Sequence, residues 1–399
     1  MEKKLQSRRK WLAVIGSVGF GGLAGCSANE SETSTDSETE NSDNNETDTP
    51  TNEDTETQSD DQENTSPDGT DSKVEVTQQW NFNARTPFYT SPALTEGIVY
   101  ISSGNGYIRF IDRDNGEYLR SFEAKGSALS SPTLDGTYIF VGSHDNNLYA
   151  VNYSSAAEWW RFETNGPISS SPIVSNGTVY AGSQDNTLYA ISKDSGEQQW
   201  AFETGDNLEA SPAVAGETIY VGSVDSKLYA IDADTGTKKW HFETGLNLVT
   251  SPTVVDDTVY VGSSDRYLYA LDTATGSEEW VFETEAGIDS SPTVANNVVF
   301  FGNIKGDLHA VDASDGTEMW DFEIDPWTSY SSPVVVDGTV YVGNRNGNLY
   351  ALDARSGEEK WRFETDGQFY SQPAVDNGRI YVGNTDGHLY ALNEQHQSP

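Results

Sequence analysis

Four aspartates, Asp145, Asp185, Asp225 and Asp265, recur at forty-residue intervals, each in a short polar stretch between two apolar runs. Carboxylates ligate hard cations and work in pairs as general acid and base, so a recurring acid is the first place to look for chemistry. Each of these, however, stands alone in its own turn, a position where Asp and Asn are favoured because the side chain bonds nearby backbone. The turn reading is preferred to a metal reading. The histidines (His144, His241, His309, His388, His396) show no ligand spacing such as HExxH. No paired acid and base, activated nucleophile or phosphate-cradling glycine loop is found either. The expectation is a chain with no catalytic residue and no bound metal, hence not an enzyme.

The single cysteine, Cys26, leaves no disulfide within one chain. Its surroundings give it another use. Residues 1–25 read as a signal peptide: Lys3, Lys4, Arg8, Arg9 and Lys10 precede a short apolar core, too short for the roughly twenty residues that span a bilayer. Ser7-Arg8-Arg9-Lys10-Trp11-Leu12 resembles a twin-arginine export motif, with Arg8 and Arg9 as its pair. Leu23-Ala24-Gly25-Cys26 resembles a lipobox, which makes Cys26 the expected lipid-attachment residue and the cell membrane the expected anchor. Residues 26–73 are acidic and rich in Ser and Thr, a composition that cannot bury a core and is expected to form a disordered tether.

The chain carries 63 acidic against 23 basic residues, a formal charge of −40. That rules against nucleic acid, whose binding depends on neutralising phosphates. From Lys73 onward 46 acidic residues face 18 basic ones, a net of −28, so the acidity is not confined to the tether. Self-repulsion of this size suits concentrated salt, where charges are screened within a few ångströms, and the expectation is an extreme halophile's protein.

The elements that must position all of this come from one repeat. Trp80, Trp160, Trp200, Trp240, Trp280 and Trp320 fall on a forty-residue grid; Trp361 falls one residue late, and Arg120 takes the missing grid point. Within each repeat, four short alternating runs rich in Val, Tyr, Thr and Trp are separated by turn residues, as in a four-stranded propeller blade. Proline marks the first strand eight times, from Pro92 to Pro373, and the LYALD-type third strand also occurs eight times. The Trp-bearing strand is out of phase: its first copy precedes any blade and the last blade lacks one. The expected fold is therefore all-β, an eight-bladed propeller over residues 74–393 closed by an N-terminal outer strand, with a tail at 394–399.

The runs from Ala230 to Trp240 and from Ala270 to Trp280 match AxDxxTGxxxW, and the copies ending at Trp320 and Trp361 match with Asp315 or Ser356 for Thr. The chain thereby resembles the PQQ-like propeller repeats with a tryptophan-docking motif. The resemblance implies that each Trp packs between neighbouring blades, with Gly in the turn and Asp and Thr stabilising it. The pattern fails at Arg120 and at Ala156, where Gly is missing, so a looser edge or partial substitution by Trp159 is expected in blade one. Quinoprotein dehydrogenases of this family carry adjacent cysteines, a calcium-binding Glu/Asn/Asp set and a catalytic Asp on long insertions. The repeats here have no cysteine and a uniform length, so PQQ is not expected as a cofactor. The same repeat occurs in BamB-like lipoproteins, which are lipid-anchored and non-enzymatic. A scaffold for an unknown protein or cell-surface partner is thus the favoured function; a binder of small molecules, sugars or quinones in the central funnel, extending to a quinoprotein-type dehydrogenase, is the alternative.

Departures from the repeat place the candidate rim. Three residues before the strand-one proline, blades one, seven and eight carry Tyr89, Tyr330 and Tyr370, with Phe88, Trp327 and Phe369 in the same loops and Lys305 and Arg345 in facing turns. An aromatic, locally basic sector has the composition of a binding hot spot. The competing expectation is that these aromatics plug the channel or pack between blades.

Overall fold

The computed structural model describes residues 74–127, 130–323 and 331–396. The signal segment with Arg8 and Arg9, Cys26, the tether, Trp327 and Tyr330 lie outside the described residues. Eight antiparallel four-stranded sheets follow one another around a ring. Blade one is typical: strands Ala93–Leu94, Ile98–Ser102, Tyr107–Asp112 and Tyr118–Glu123, ordered from the channel outwards. The inner strands of successive blades adjoin one another, which puts them at the centre. Among the described residues no helix is long and apolar enough to cross a membrane.

Burial explains the pattern of the strands. The second and third strands are sandwiched between neighbouring blades and are buried almost throughout, as in Ile139, Phe140 and Val141 of blade two. Outer strands alternate, because one face meets the next blade and the other meets solvent. Each inter-blade space holds its own apolar cluster, such as Tyr260, Leu268, Trp280 and Phe301 between blades five and six.

The ring closes as the phase of the repeat requires. Strand Val74–Asn83 pairs antiparallel with His388–His396 as the outer strand of blade eight. The pairing runs from Val74 with His396 to Asn83 with His388, so the last strand continues three residues past the boundary expected at 393. Across the seam Trp80 Nε1 donates to the Arg113 carbonyl at 3.1 Å. Arg113 donates to the Tyr381 hydroxyl at 3.0 Å and forms an ion pair with Asp376, joining blade one to blade eight.

Tryptophan docking repeats around the ring. Trp160, Trp200, Trp240 and Trp280 each donate Nε1 to a carbonyl in the next blade's third-to-outer turn, at 2.8, 2.9, 3.0 and 3.0 Å. Trp320 reaches the Ala354 carbonyl, and Trp361 reaches Glu394 Oε1 instead. Every docked ring but that of Trp361 lies on a left-handed glycine of the next blade: a Cβ on Gly236 would fall 2.7 Å from the Trp200 ring. Asp232 and Asp272 hold the turns by accepting from the backbone and hydroxyl of Thr235 and Thr275.

The two failures of the motif are one event. Arg120 sits where a Trp would dock and donates to the Ser154 carbonyl in blade two, with its guanidinium 5.9 Å from the Phe110 ring. With no indole above it, Ala156 keeps a Cβ at φ 56° in place of glycine. Trp159 does not fill the gap. Its Nε1 donates to the Asp194 carbonyl of blade three at 3.0 Å, away from blade one.

Candidate functional site

The upper face carries the turns between second and third strands and the loops that enter each blade. In blades two to five the recurrent aspartates build this face. Asp225 Oδ1 accepts from Lys227 N at 3.1 Å, and Oδ2 accepts from the Tyr229 hydroxyl at 2.6 Å and Gly205 N at 2.7 Å. Asp145, Asp185 and Asp265 repeat the arrangement with Tyr149, Tyr189 and Tyr269. Burial and the Asp185 hydrogen bond push the Tyr189 hydroxyl up to about 12. These carboxylates are spent on latching one blade to the next. No group of three His, Cys, Asp or Glu placed to hold a metal exists among the described residues.

Below this face a ring of hydroxyls ties the inner strands together. Ser91 N donates to Ser131 Oγ at 2.9 Å, Ser131 N to Ser171 Oγ at 3.0 Å and Ser171 N to Ser211 Oγ at 2.8 Å. The sequence continues through Ser251, Ser291 and Ser332, and Gln372 N donates to Ser91 Oγ at 3.1 Å. The serine before every strand-one proline but Pro373, which follows Gln372, was a signal in plain view, since Ser-Pro recurs where only the proline was used as a strand marker.

The rim itself is asymmetric. The structure brings Tyr89, Tyr370 and Arg345 together: the tyrosine rings meet edge to face at 5.8 Å and the Arg345 guanidinium lies 5.2 Å from the Tyr370 ring. The Tyr370 hydroxyl donates to Gln368 Oε1 at 2.8 Å. Asp289 stands in the equivalent loop of blade six, near Ser264. Burial pushes its carboxyl above the ordinary value, against the Ser264 hydroxyl and the Arg345 charge. On the blade two and three side, Ser169 bridges His144 Nε2 at 2.9 Å and Gln184 Nε2 at 3.1 Å.

Three expected members do not join this cluster. Phe88 and Phe369 are fully buried and are corrected from rim to core. Each packs on a second-strand glycine of the preceding blade; a Cβ would fall 2.4 Å from Phe369 at Gly343 and 2.6 Å from Phe88 at Gly383. Ile168, Leu208, Leu248 and Ile288 fill the same place elsewhere, so four residues before the proline is a core position and three before it faces the rim. Lys305 pairs instead with Glu285, just past blade five's outer strand, at 2.7 Å and with Asp307 of its own blade at 3.6 Å. Sequence reasoning missed Asp289, His144 and Gln184, which only a comparison of polar residues at the loop positions would have found.

A closed ring of eight repeats with Trp docked between blades, and an aromatic and charged mouth on one face, defines a repeat β-propeller with a candidate binding rim. The chain belongs to the beta-alanine-activating enzyme beta-propeller family, which it matches over residues 175–398. Among solved structures it is similar to BamB from Moraxella catarrhalis, at 21% identity and a TM-score of 0.72, covering 80% of this chain and 100% of that one. The computationally designed Ika8 protein is similar at 14% identity and a TM-score of 0.71, covering 78% and 97% of the two chains. Quinohemoprotein alcohol dehydrogenase from Comamonas testosteroni is similar at 15% identity and a TM-score of 0.68, covering 80% and 76%. At such identities these likenesses carry the fold alone. A comparison with curated proteins finds no match.

Proposed function

We propose that the chain is an extracytoplasmic, non-enzymatic scaffold whose upper rim, at the seam of blades seven, eight and one, binds a protein partner. The observation that supports this best is the contact of Tyr89, Tyr370 and Arg345 at the mouth of the ring, a composition that dominates binding hot spots. The export motif at Arg8 and Arg9 and the lipobox at Cys26 supply the location: a lipid on Cys26 holds the propeller to the cell membrane by the acidic tether. The BamB likeness is consistent with a lipoprotein scaffold, but the partner is not carried over from it. Changing Tyr89 and Tyr370 together to Ala tests the rim. The expected result is loss of co-purifying protein with little change in melting temperature. A large loss of stability with partners retained would make these rings a plug. Cys26→Ser should release the protein from membranes, and continued attachment would refute the anchor.

The second reading is a small molecule, sugar or quinone bound in the funnel, extending to a quinoprotein-type dehydrogenase, and the fold likeness to a quinohemoprotein enzyme gives it weight. The residues at the mouth do not fit PQQ with calcium. The described propeller has no cysteine, and its half-buried carboxylate, Asp289, faces the positive charge of Arg345 rather than other oxygen donors. We therefore assign no cofactor. A bound chromophore or alcohol oxidation on adding PQQ and calcium would overturn that assignment.

A further inference from the structure

Each blade also presents a lower face, made of the first-to-second and third-to-outer turns, where one pair of positions is polar in some blades and apolar in blade one (Ile98, Leu119), blade two and blade six (Val298, Met319). In blades three, four, five and seven a residue of the outer strand is hydrogen-bonded to a threonine of the second strand: Gln199 with Thr178 at 3.0 Å, Lys239 with Thr218 at 2.8 Å, Glu279 with Thr258 at 2.9 Å and Lys360 with Thr339 at 3.0 Å. Blade two places Trp159 and Tyr138 at these positions, with ring centroids 5.1 Å apart. Trp159 is 56% exposed, the most of any large hydrophobic residue among those described. The pair gives this edge of blade two a solvent-facing indole where blades three, four, five and seven present polar side chains.

The described residues contain two Asn-x-Ser/Thr triplets, and they flank this pair. Tyr153 of Asn152-Tyr153-Ser154 donates its N–H to the Thr137 carbonyl, next to Tyr138, at 3.1 Å. Gly177 of Asn176-Gly177-Thr178 accepts from Lys193 N at 2.9 Å, and the adjacent Asp194 carbonyl accepts from Trp159 Nε1 at 3.0 Å. The triplets differ in freedom. Asn152 Oδ1 is held in its own turn by the backbone and hydroxyls of Ser154 and Ser155. Asn176 is exposed at the tip of a two-residue hairpin turn, at φ 48°, and a Cβ on neighbouring Gly177 would meet nothing within 4 Å.

We propose that Asn176 carries an N-linked glycan whose first sugars lie over Trp159 and Tyr138. The inference rests on the extracytoplasmic location argued above. In the modification, Asn176 Nδ2 forms a bond to the anomeric carbon of a lipid-phosphate-linked oligosaccharide. The sugar–phosphate bond breaks, the lipid phosphate leaves, and one amide proton passes to a base of the transferase. A glycan there covers the solvent-facing indole of blade two and leaves the upper rim clear for a partner.

The test uses full-length protein recovered from the cells that naturally make it. Asn176→Asp is the variant of choice because Asp256 and Asp337 hold the same turn position in blades five and seven, at φ 51° and 48°. Mass spectrometry of the peptide containing Asn176 should show a glycan increment, which Thr178→Ser keeps and Asn176→Asp abolishes. Acrylamide quenching assigned to Trp159, by difference from Trp159→Phe, should rise in Asn176→Asp. A glycan without that rise would overturn its place over the aromatic pair. Protease treatment of intact cells separates the two readings. Protein that protease reaches but whose Asn176 is unmodified overturns the glycan alone; protein that protease cannot reach overturns the location, and the glycan with it.

Discussion

At the scale of single residues, the structure turns apparent defects into compensations. Trp docking requires glycine in the facing turn, since in the six glycine contacts a Cβ would fall 2.6–2.8 Å from the indole. Arg120 and Ala156 therefore belong together. Arg120→Trp alone should destabilise the ring, and adding Ala156→Gly should restore it, with a coupling of about 1 kcal/mol or more in a double-mutant cycle followed by urea unfolding; additivity would contradict the pairing. The link was hard to see in sequence because Gly and Trp neighbour each other in the motif, whereas each Trp touches the glycine of the next copy. His144 offers a second test. Burial holds its imidazole below the ordinary value. Such a group stabilises the fold above its unfolded value of about 6.5 and loses that contribution as pH falls through the lower folded value. Stability should decline below about pH 6.5, and His144→Gln, which copies Gln184 of blade three, should flatten the decline in urea midpoints compared across that window. An unchanged slope would place the titration elsewhere.

At the scale of the element, one repeat carries nearly all of the architecture, and it was legible. Strand order, the eight-fold count and closure by the N-terminal strand all followed from period, proline and turn chemistry, because a blade cannot bury its faces without two neighbours. The last strand nevertheless runs to His396, since pairing with Val74 and Glu75 extends it where composition gave no sign. The rim was legible only in part. Tyr89, Tyr370 and Arg345 do meet, yet Phe88 and Phe369 are core, because a shift of one residue along the loop exchanges the glycine-facing position for the exposed one. The recurrent aspartates are engaged in their own turns, where each bonds nearby backbone and a tyrosine hydroxyl. Asp225→Ala removes three hydrogen bonds and should cost roughly 2 kcal/mol or more, while EDTA leaves the wild-type unfolding midpoint unchanged. A chelator effect matching the substitution would restore a metal reading.

At the scale of the whole molecule, net charge is the property that no single blade reveals. With −28 on residues 73–399, folding should depend on salt, and the melting temperature should rise steeply as potassium chloride increases from about 0.1 M; a flat curve would remove the halophilic reading. The molecule also has two unlike faces: an upper one where aspartate latches give way to Tyr89, Tyr370 and Arg345, and a lower one of turns. The central claim is that the upper seam binds a protein. A photo-crosslinking residue placed at Tyr370, with one at exposed Glu217 on the lower face as control, tests it most directly in intact membranes. The account predicts one discrete crosslinked protein from position 370 and none from 217. Crosslinks from 217 alone, or from neither position, would contradict it.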